Sequence, residues 1–339
     1  MVLLNILVVI LTLTCFEAFL WRYTTRYTRH IKHGGDLYKE DFYFRKDDAL
    51  GYTPHKNVKA HATKSFDDLL LFDVHYTIDE NGLRKSPPCS ETAQDNCLLF
   101  FGCSMVFGEG LEDEETLPYQ TGLLSGGKYK IFNFGFHGYG PHQMLSIIEN
   151  GLLDEVVTCT ADPKHIFYVG LVEHALRAAG KTSWGEHAPR YALAENQVYL
   201  AGRFDDSIFH TNRWLAKSIF HLKKSYIYQK ISDKKKVMTD QDVQLFLRIL
   251  KKSQLELKKK YPDSAFTIIL WDNNKYQEFA PVIAYFKAHD INVKWINEIL
   301  PNYDTEKNKY RIHPKHEKHP NARANRIIAQ YLLDNLIEP

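Results

Sequence analysis

The chain has 339 residues, of which 44% are hydrophobic and 13% aromatic, enough to bury one large core with additional elements around it. Its 43 basic and 41 acidic residues give a formal net charge of +2, which argues against the basic surface of a general nucleic-acid-binding protein. The common nucleic-acid-binding motifs are also missing from the sequence. We therefore expect one main domain, no nucleic-acid partner and a function carried by a localised site.

The first 21 residues form an apolar run that four polar residues interrupt. About 20 helical residues cross the hydrocarbon of a bilayer, so residues 1–21 are predicted to form a transmembrane anchor, with a buried core helix as the alternative. No basic residue precedes the run and no small-x-small site follows it, which disfavours a cleavable signal peptide. Three arginines and one lysine lie within residues 22–32, and the positive-inside tendency would leave the following domain in the cytoplasm.

The five cysteines include no CxxC pair, and no cysteine and histidine spacing suits zinc. We therefore expect no structural metal and no cofactor. Cys89 and Cys97 flank the polar stretch SETAQDN, and a disulfide between them would indicate an oxidising compartment, against the orientation that the basic residues favour. Two free thiols beside a strand are the alternative.

Residues 22–96 are rich in Gly, Asp, His and Pro with short aromatic stretches, which predicts an irregular, partly β extension. From residue 97, five short apolar runs alternate with stretches of helical length, a pattern typical of a parallel sheet with helices on both faces. The runs are 97–102, 130–135, 165–171, 266–271 and 291–296. Residues 97–339 are thus predicted to form an α/β domain, a three-layer α/β/α sandwich around a mainly parallel five-stranded sheet.

Two helices are predicted between these strands. Apolar residues recur at helical spacing over 143–157 and over 239–261, and the second stretch opens with a Thr or Asp cap. We interpret its lysine-rich side as a solvated helix face rather than a patch for an anionic partner. Residues 175–238 are predicted to form an insertion between the third and fourth strands, where a cap over the site would lie.

Ser104 follows the first strand of the predicted sheet, in the run FFGCSMVFGEGL. Ligands bind where strands of an open parallel sheet end, so this serine lies at the productive edge. The preceding glycine permits a sharp turn, and the backbone N–H groups that follow can point at a developing oxyanion. A nucleophilic serine is the functional interpretation of this position.

Two further segments provide groups that a nucleophilic serine needs. The run NFGFHGYGPHQ at 133–143 follows the second strand and packs glycines into one loop, which lets backbone N–H groups approach a ligand closely. His319 precedes Pro320 and an amphipathic helix that would hold it against the sheet. An imidazole with a pKa close to working pH is suited to accepting the serine proton.

These segments resemble the conserved blocks of the SGNH, or GDSL-type, hydrolases. The family's Gly-Asp-Ser block is similar to GCSMVFGEGL, its Asn-x-Gly-x-x-Gly loop to NFGFHG, and its Asp-x-x-His-Pro block to HEKHPNA. The runs LGYTPHKN and TIDENGLR also resemble the approach segment of membrane-anchored bacterial members, so the resemblance covers most of the chain. It implies a flavodoxin-like SGNH fold, Ser104 as nucleophile, His319 as base, and the N–H groups of Ser104 and Gly138 as oxyanion donors.

The acid of the last block departs from the family pattern. His316 stands at the position of the family's aspartate, three residues before His319, and Glu317 is the only carboxylate in that stretch. Glu317 is therefore predicted to orient His319, and His316 is a second candidate. Without a carboxylate partner, a triad histidine loses about four orders of magnitude in turnover.

The oxyanion donors depart from the pattern as well. The third block, VGLVEHALR at 169–177, lacks the family's asparagine, so Glu173 and His174 are the candidates to replace it. Asn133 either contacts the substrate or stabilises its own loop, as it often does in this family. Cys103 replaces the family's aspartate before the serine.

The resemblance predicts a serine esterase that acts on O-acyl, or O-acetyl, esters of a glycan or lipid through an acyl-enzyme on Ser104. An O-acyltransferase that passes the acyl group to a sugar is one alternative. A catalytically weakened SGNH-like protein that binds a glycan or an envelope partner is the other. By resemblance, the protein would be anchored in a bacterial inner membrane with its domain outside the cytoplasm.

Overall fold

The computed structural model describes most of the chain. The described residues are 5, 8, 11–20, 22, 30–37, 39–90, 96–182, 184–195, 197–206, 238–271, 284–286, 288, 289 and 291–338. The strands are, in chain order, β1 (Ile31–Gly35), β2 (Phe44–Asp47), β3 (Gly51–Pro54), β4 (Val58–Phe66), β5 (Leu69–Ile78), β6 (Cys97–Gly102), β7 (Lys130–Asn133), β8 (His165–Leu171), β9 (Pro189–Ala194), β10 (Gln197–Arg203), β11 (Ala265–Trp271), β12 (Asn292–Trp295), β13 (Arg311–His313) and β14 (Glu317–Pro320).

The helices lie mainly between the strands of the second half of the chain. The α-helices are Ser104–Phe107, Leu117–Leu124, Pro141–Glu149, Leu152–Val156, His174–Ala178, Asp240–Lys260, Ile296–Ile299, Tyr303–Glu306 and Ala322–Leu332. Short 3₁₀ turns span Asp113–Glu115 and Lys307–Tyr310, and a π-helical turn spans Leu333–Ile337.

The central sheet has five strands in the order β12-β11-β8-β6-β7, and all neighbouring pairs are parallel. The order reverses between β6 and β8, and in open α/β sheets ligands bind outside the strand ends at such a switch point. Each of the five predicted strands is present, so the predicted parallel α/β sheet is confirmed. Ser104 lies two residues after the end of β6, one of the two strands at this switch point.

Alternate side chains along the central strands point to opposite faces of the sheet and pack in two separate hydrophobic clusters. Leu99, Phe101 and Tyr168 pack on one face in a cluster that includes residues of helices Pro141–Glu149 and Asp240–Lys260. Phe100 and Phe167 pack on the other face with residues of the last helix, Ala322–Leu332. Each fully buried side chain of this kind contributes about 1.5–3 kcal/mol. The result is the predicted three-layer arrangement.

Local signals explain where the helices begin and end. Thr239 caps the helix Asp240–Lys260 by accepting from the Asp242 N–H at 3.3 Å, and lysines occupy its last turn. The single helix predicted over 143–157 is instead two helices, 141–149 and 152–156. Gly151, between them, has a left-handed backbone with φ of 71°. That conformation ends the first helix.

The extension before residue 97, predicted to be irregular and partly β, contains five β-strands in the structure. Strands β1, β4 and β5 form an antiparallel sheet, and β2 and β3 form a separate hairpin. Arg84 follows this sheet and is buried, with its Nε 2.7 Å from Asp113 Oδ1. Its guanidinium also stacks on the rings of Tyr76 and Phe107. These contacts fasten the extension to the α/β domain beside the turn that carries Ser104.

The predicted pairing of Cys89 with Cys97 is wrong. Cys97 bonds Cys159 instead, across a Cα–Cα distance of 6.3 Å, and Cys89 is a free thiol. The segment at Ser90 is held elsewhere, because its N–H donates to the Gly127 carbonyl at 3.0 Å. Cys97 opens strand β6, whereas Cys159 lies in the loop that leads to the adjacent strand β8.

Two predicted segments fall partly outside the described residues. Positions 5, 8 and 11–20 of the expected anchor are helical, and the other nine of its 21 positions lie outside the described residues. No helix among the described residues combines the length and hydropathy needed to cross a bilayer, so anchoring through residues 1–21 stays a prediction. The expected insertion at 175–238 contains the hairpin of β9 and β10, while residues 207–237 lie outside the description.

The Cys97–Cys159 disulfide predicts a specific loss of stability. It closes a loop with a sequence separation of 62, and loop-closure entropy of that length is worth about 4 kcal/mol. Cys159→Ser should therefore lower the urea midpoint, as should treatment of the wild type with dithiothreitol. Cys89→Ser is the matched control and should leave the midpoint unchanged. An equal loss in Cys89→Ser and Cys159→Ser would contradict the pairing.

Candidate active site

Ser104 stands in a tight turn at the end of strand β6. The short helix Ser104–Phe107 begins directly there, and the Ser104 side chain is buried. The N–H groups of Ser104 and Met105 lie in the first turn of this helix, where backbone donors have no intrahelical acceptor. The serine thus combines a hydroxyl and neighbouring free donors at the carboxyl edge of the sheet.

His319 and Glu317 complete a line of hydrogen bonds from Ser104. The Ser104 hydroxyl donates to His319 Nε2 at 2.8 Å, and His319 Nδ1–H donates to Glu317 Oε1 at 2.5 Å. Glu317 and His319 both lie on strand β14, directly before the last helix. Asn321 caps that helix by accepting from the Ala324 N–H, which fixes the end of the strand beside the serine.

The second oxygen of Glu317 has a cationic partner from the other end of the chain. Lys64 Nζ, on strand β4, donates to Glu317 Oε2 at 2.5 Å. Only 3% of the Glu317 side chain and 13% of the Lys64 side chain are exposed. The contact is therefore a buried ion pair. Removing one partner of such a pair leaves the other charge buried and unpaired, which is strongly destabilising.

These contacts set the protonation states of the site. Burial alone would raise the pKa of Glu317, but the hydrogen bond from His319 and the charge of Lys64 lower it to about 2. Burial alone would lower the pKa of His319, but the nearby carboxylates of Glu109 and Glu317 raise it above its ordinary value. Glu317 is thus ionised at neutral pH, and the imidazolium form of His319 is stabilised.

The glycine loop after β7 packs against the serine turn. Asn133 donates from Nδ2 to the Val106 carbonyl at 3.1 Å and accepts from the Gly135 N–H at 3.0 Å. A Cβ on Gly135 would lie 2.7 Å from Val106 Cβ, so the close approach needs glycine. Asn133 therefore joins the two loops, and both its amide nitrogen and its amide oxygen make hydrogen bonds to the loop backbones.

Gly138 lies further along the same loop and has a left-handed backbone with φ of 71°. Its carbonyl accepts from Trp184 Nε1–H at 3.4 Å, and a Cβ would lie 2.6 Å from the Tyr52 hydroxyl. Trp184 also lines the cavity that His319 borders. The oxyanion role of Gly138 stays a prediction, with its backbone held close to the cavity by these contacts.

Two of the predicted site residues lie elsewhere. The ring of His316 stacks on Phe66 at 3.7 Å, and Glu317 rather than His316 bonds His319, which corrects the second candidate for the acid. His174 is completely buried and its Nδ1 accepts from the Tyr168 hydroxyl at 2.5 Å. Burial and the charge of Arg177 lower its pKa, so it is a neutral core residue, and it is not among the residues that line the cavity beside His319.

A cavity of about 400 Å³ opens beside His319 and Met105, the residue that follows Ser104. Its walls contain the rings of Trp184, Trp271 and Tyr303. Glu173, a candidate donor in the sequence, lines the same cavity. The indole N–H of Trp271 is buried and has no acceptor within the part of the chain that the structure describes. The cavity therefore presents aromatic surface beside His319.

Charged side chains also border the cavity. Arg177 donates to the Tyr139 carbonyl at 2.6 Å and stacks on Trp184, while Lys181 pairs with Asp242. Arg311 and Lys318 line the wall near strand β14. The lining is therefore mixed, with both polar and apolar groups around His319.

Sequence reasoning missed Lys64 and Glu109. Lys64 is 253 residues from Glu317 along the chain, and nothing in its local sequence marks a contact with a buried carboxylate. Glu109 lies five residues after Ser104 within FGEGL, and its Oε2 lies 2.9 Å from His137 Nδ1. A carboxylate between two glycines next to a nucleophile was the available signal for this residue.

No protein-family model matches the sequence, and no curated protein matches it. Several solved structures do resemble the chain. A protein assigned to the G-D-S-L lipolytic family from Desulfitobacterium hafniense DCB-2 shares 13% identity, with 70% of this chain and 97% of that chain covered and a TM-score of 0.39. The acetyl xylan esterase Est2A from the rumen bacterium Butyrivibrio proteoclasticus shares 12% identity, with 87% and 85% covered and a TM-score of 0.40.

A third structure, AlinE4, is an SGNH-hydrolase family esterase with 17% identity, 71% of this chain and 94% of that chain covered, and a TM-score of 0.32. At these identities and TM-scores, function depends on the geometry of the site and not on the likeness. Of these three structures, two are described as G-D-S-L family or SGNH-hydrolase family proteins and one as an acetyl xylan esterase.

Proposed function

We propose that the protein is a serine ester hydrolase that acts on small O-acyl esters. The observation that carries this proposal is the unbroken line from Ser104 through His319 to the buried Glu317 carboxylate, with distances of 2.8 and 2.5 Å. A nucleophile, a base and an orienting acid in that order are the parts of acyl-transfer chemistry.

The reaction follows from the protonation states. Ser104 Oγ attacks the ester carbonyl carbon as its proton moves to His319 Nε2, and Glu317 stabilises the resulting imidazolium. The tetrahedral intermediate then collapses, the C–O bond to the alcohol breaks, and Nε2–H gives its proton to the leaving oxygen. Water then attacks the acyl carbon as its proton moves to His319 Nε2. The second intermediate collapses, the bond to Ser104 Oγ breaks, and Nε2–H returns the proton to Ser104 as the carboxylic acid leaves.

The carbonyl oxygen becomes an anion in the intermediate and needs donors. We assign this role to the backbone N–H groups of Ser104 and Gly138. Removing one donor from an oxyanion hole costs about 10²–10³ in turnover. With Asn133 occupied in joining the loops and His174 buried, these backbone groups carry the role that the third-block asparagine has in the family.

Hydrolysis is favoured over a binding-only role because the acid is present. The binding hypothesis depends on the loss of the family's aspartate and of its third-block asparagine, and Glu317 makes the contact to His319 Nδ1 that this aspartate would make. A site used only for binding has no need of an ionised carboxylate buried behind the histidine, since burying a charge is costly. Transfer of the acyl group to a sugar uses the same acyl-enzyme, and the acceptor decides between the two outcomes.

We further propose an oxygen-rich substrate such as an acylated glycan, in preference to a lipid ester. Trp184, Trp271 and Tyr303 provide flat aromatic surface on the cavity wall. Arg311 and Lys318 add polar groups on the same wall. Convergent polar groups of this kind set the orientation of a polar ligand, whereas a long acyl chain would favour a continuous apolar wall.

The nucleophile assignment predicts the behaviour of Ser104→Ala. This variant should lose hydrolysis of p-nitrophenyl acetate by at least about 10³-fold, because no acyl-enzyme can form. A fluorophosphonate probe should label the wild type and leave the variant unlabelled. Ser90→Ala, at an exposed serine, is the matched control and should react as the wild type does.

Wild-type rates in Ser104→Ala, or equal labelling of both proteins, would overturn the assignment. The same pair of proteins tests the substrate class. Acetylated xylan oligosaccharides should be cleaved with a higher kcat/KM than tributyrin, and the opposite ranking would favour a lipid ester.

The orienting acid predicts a second loss. Glu317→Gln keeps the size of the side chain but removes its charge, so it should lower kcat by about 10³–10⁴-fold. Glu298→Gln makes the same change at an exposed residue and should leave kcat unchanged. Near-ultraviolet circular dichroism would confirm that both variants fold. A Glu317→Gln enzyme with near wild-type kcat would show that His319 needs no carboxylate at Nδ1.

The pKa of His319 predicts the acid limb of the pH profile. His319 must be neutral to accept the serine proton, and its pKa is raised above the ordinary value of 6.5. Activity should therefore fall as the pH is lowered, with a midpoint of kcat/KM above 6.5. Initial rates with p-nitrophenyl acetate across buffers of constant ionic strength measure this limb. A midpoint well below 6.5 would contradict the charged surroundings described for His319.

A further inference from the structure

A second carboxylate lies beside the catalytic nitrogen of His319. Glu109 Oε2 is 3.9 Å from His319 Nε2, the nitrogen that bonds Ser104. Glu317 contacts the opposite nitrogen, Nδ1. The Glu109 N–H donates to the Ser104 carbonyl at 3.0 Å, so the same loop carries the nucleophile and this carboxylate. The proposed ester hydrolysis uses Glu317 and assigns no role to Glu109.

Glu109 also binds the glycine loop. Its Oε2 accepts from His137 Nδ1–H at 2.9 Å, and His137 Nε2 lies 3.3 Å from the Tyr43 hydroxyl. The His137 carbonyl accepts from the Tyr52 hydroxyl at 2.7 Å. His137 is thus held at its ring and at its backbone, one residue before Gly138. Through this histidine, Glu109 connects the nucleophile loop to the loop that would supply an oxyanion donor.

Negative charge predominates around His319. The carboxylates of Glu109 and Glu317 face it, Lys64 lies behind Glu317, and His33 lies near the same two carboxylates. Burial alone would raise the pKa of Glu109, but His319 and His137 lower it far below its ordinary value. Burial, chiefly, with the charge of Lys64, also lowers the pKa of His33, which keeps that ring neutral. Glu109 therefore stays ionised while the site works.

We propose that Glu109 is a positioning residue for the reaction, a second carboxylate that stabilises the imidazolium of His319 at Nε2 and holds the Gly138 loop in register with Ser104. At 3.9 Å it makes a charge contact with Nε2 and no hydrogen bond. Glu109 accepts no proton in this scheme, because the proton passes from Ser104 to Nε2 and then to the leaving oxygen. The inference rests on the proposed ester hydrolysis and adds a component to it.

Glu109→Gln tests the charge while keeping the size of the side chain. The pKa of His319, followed by NMR of its imidazole, should fall by about 1–3 units, the effect of losing an opposite charge at this distance. The acid limb of kcat/KM should move to lower pH by the same amount. Each unit of lost imidazolium stabilisation corresponds to about a tenfold loss in rate. Glu114→Gln, at an exposed carboxylate of the following turn, is the matched control and should change neither quantity.

His137→Phe tests the connection to the glycine loop. It keeps an aromatic ring against Phe107, which lies 4.3 Å from the His137 ring, and removes the donor to Glu109. We expect kcat to fall while the pKa of His319 stays above 6.5, because the Glu109 charge remains. Unchanged kcat in this variant would overturn the connecting role.

The NMR measurement needs no turnover, which separates the two proposals. An unchanged pKa of His319 in folded Glu109→Gln, in an enzyme whose esterase activity Ser104→Ala abolishes, overturns the role of Glu109 alone. A shifted pKa in a protein without esterase activity supports the charge contact and overturns the proposed function.

Discussion

The site depends on one buried carboxylate that must keep its partners. Folding leaves only 3% of the Glu317 side chain exposed, and an ionised group in such a place needs charged or hydrogen-bonding neighbours. Lys64 bonds one oxygen and His319 bonds the other. Lys64 lies on strand β4 and His319 on strand β14. The Glu317 carboxylate therefore connects the N-terminal extension to the C-terminal part of the α/β domain beside Ser104.

The extension before residue 97 is therefore part of the catalytic architecture. It provides Lys64 to the acid, and its Tyr43 and Tyr52 hydroxyls contact His137 in the glycine loop. Arg84 fastens it to the domain through Asp113 and through stacking on Phe107 of the serine turn. The antiparallel sheet and the separate hairpin of this extension thus together contact the acid, the glycine loop and the serine turn.

The features that the sequence predicts are those set by local pattern. Buried parallel strands appear as short apolar runs, so the five central strands were predictable, and a serine at the end of the first strand marked the edge where ligands bind. The features that it missed depend on contacts between distant residues. Lys64 has no local mark of its partner, and Cys97 meets Cys159 through strand adjacency, whereas Cys89 is close only in sequence. His174 follows a strand end, as a site residue would, yet it turns into the core to meet Tyr168.

The acyl-enzyme itself tests the account most directly. The wild type and Glu317→Gln would be mixed with p-nitrophenyl acetate, quenched in acid, digested and analysed by tandem mass spectrometry. The account predicts an acetyl group on the peptide that contains Ser104, located on the Ser104 side chain and missing from Ser104→Ala. Continued turnover with no acetylated Ser104 at any quench time, or acetylation of a different residue on the reaction pathway, would contradict it.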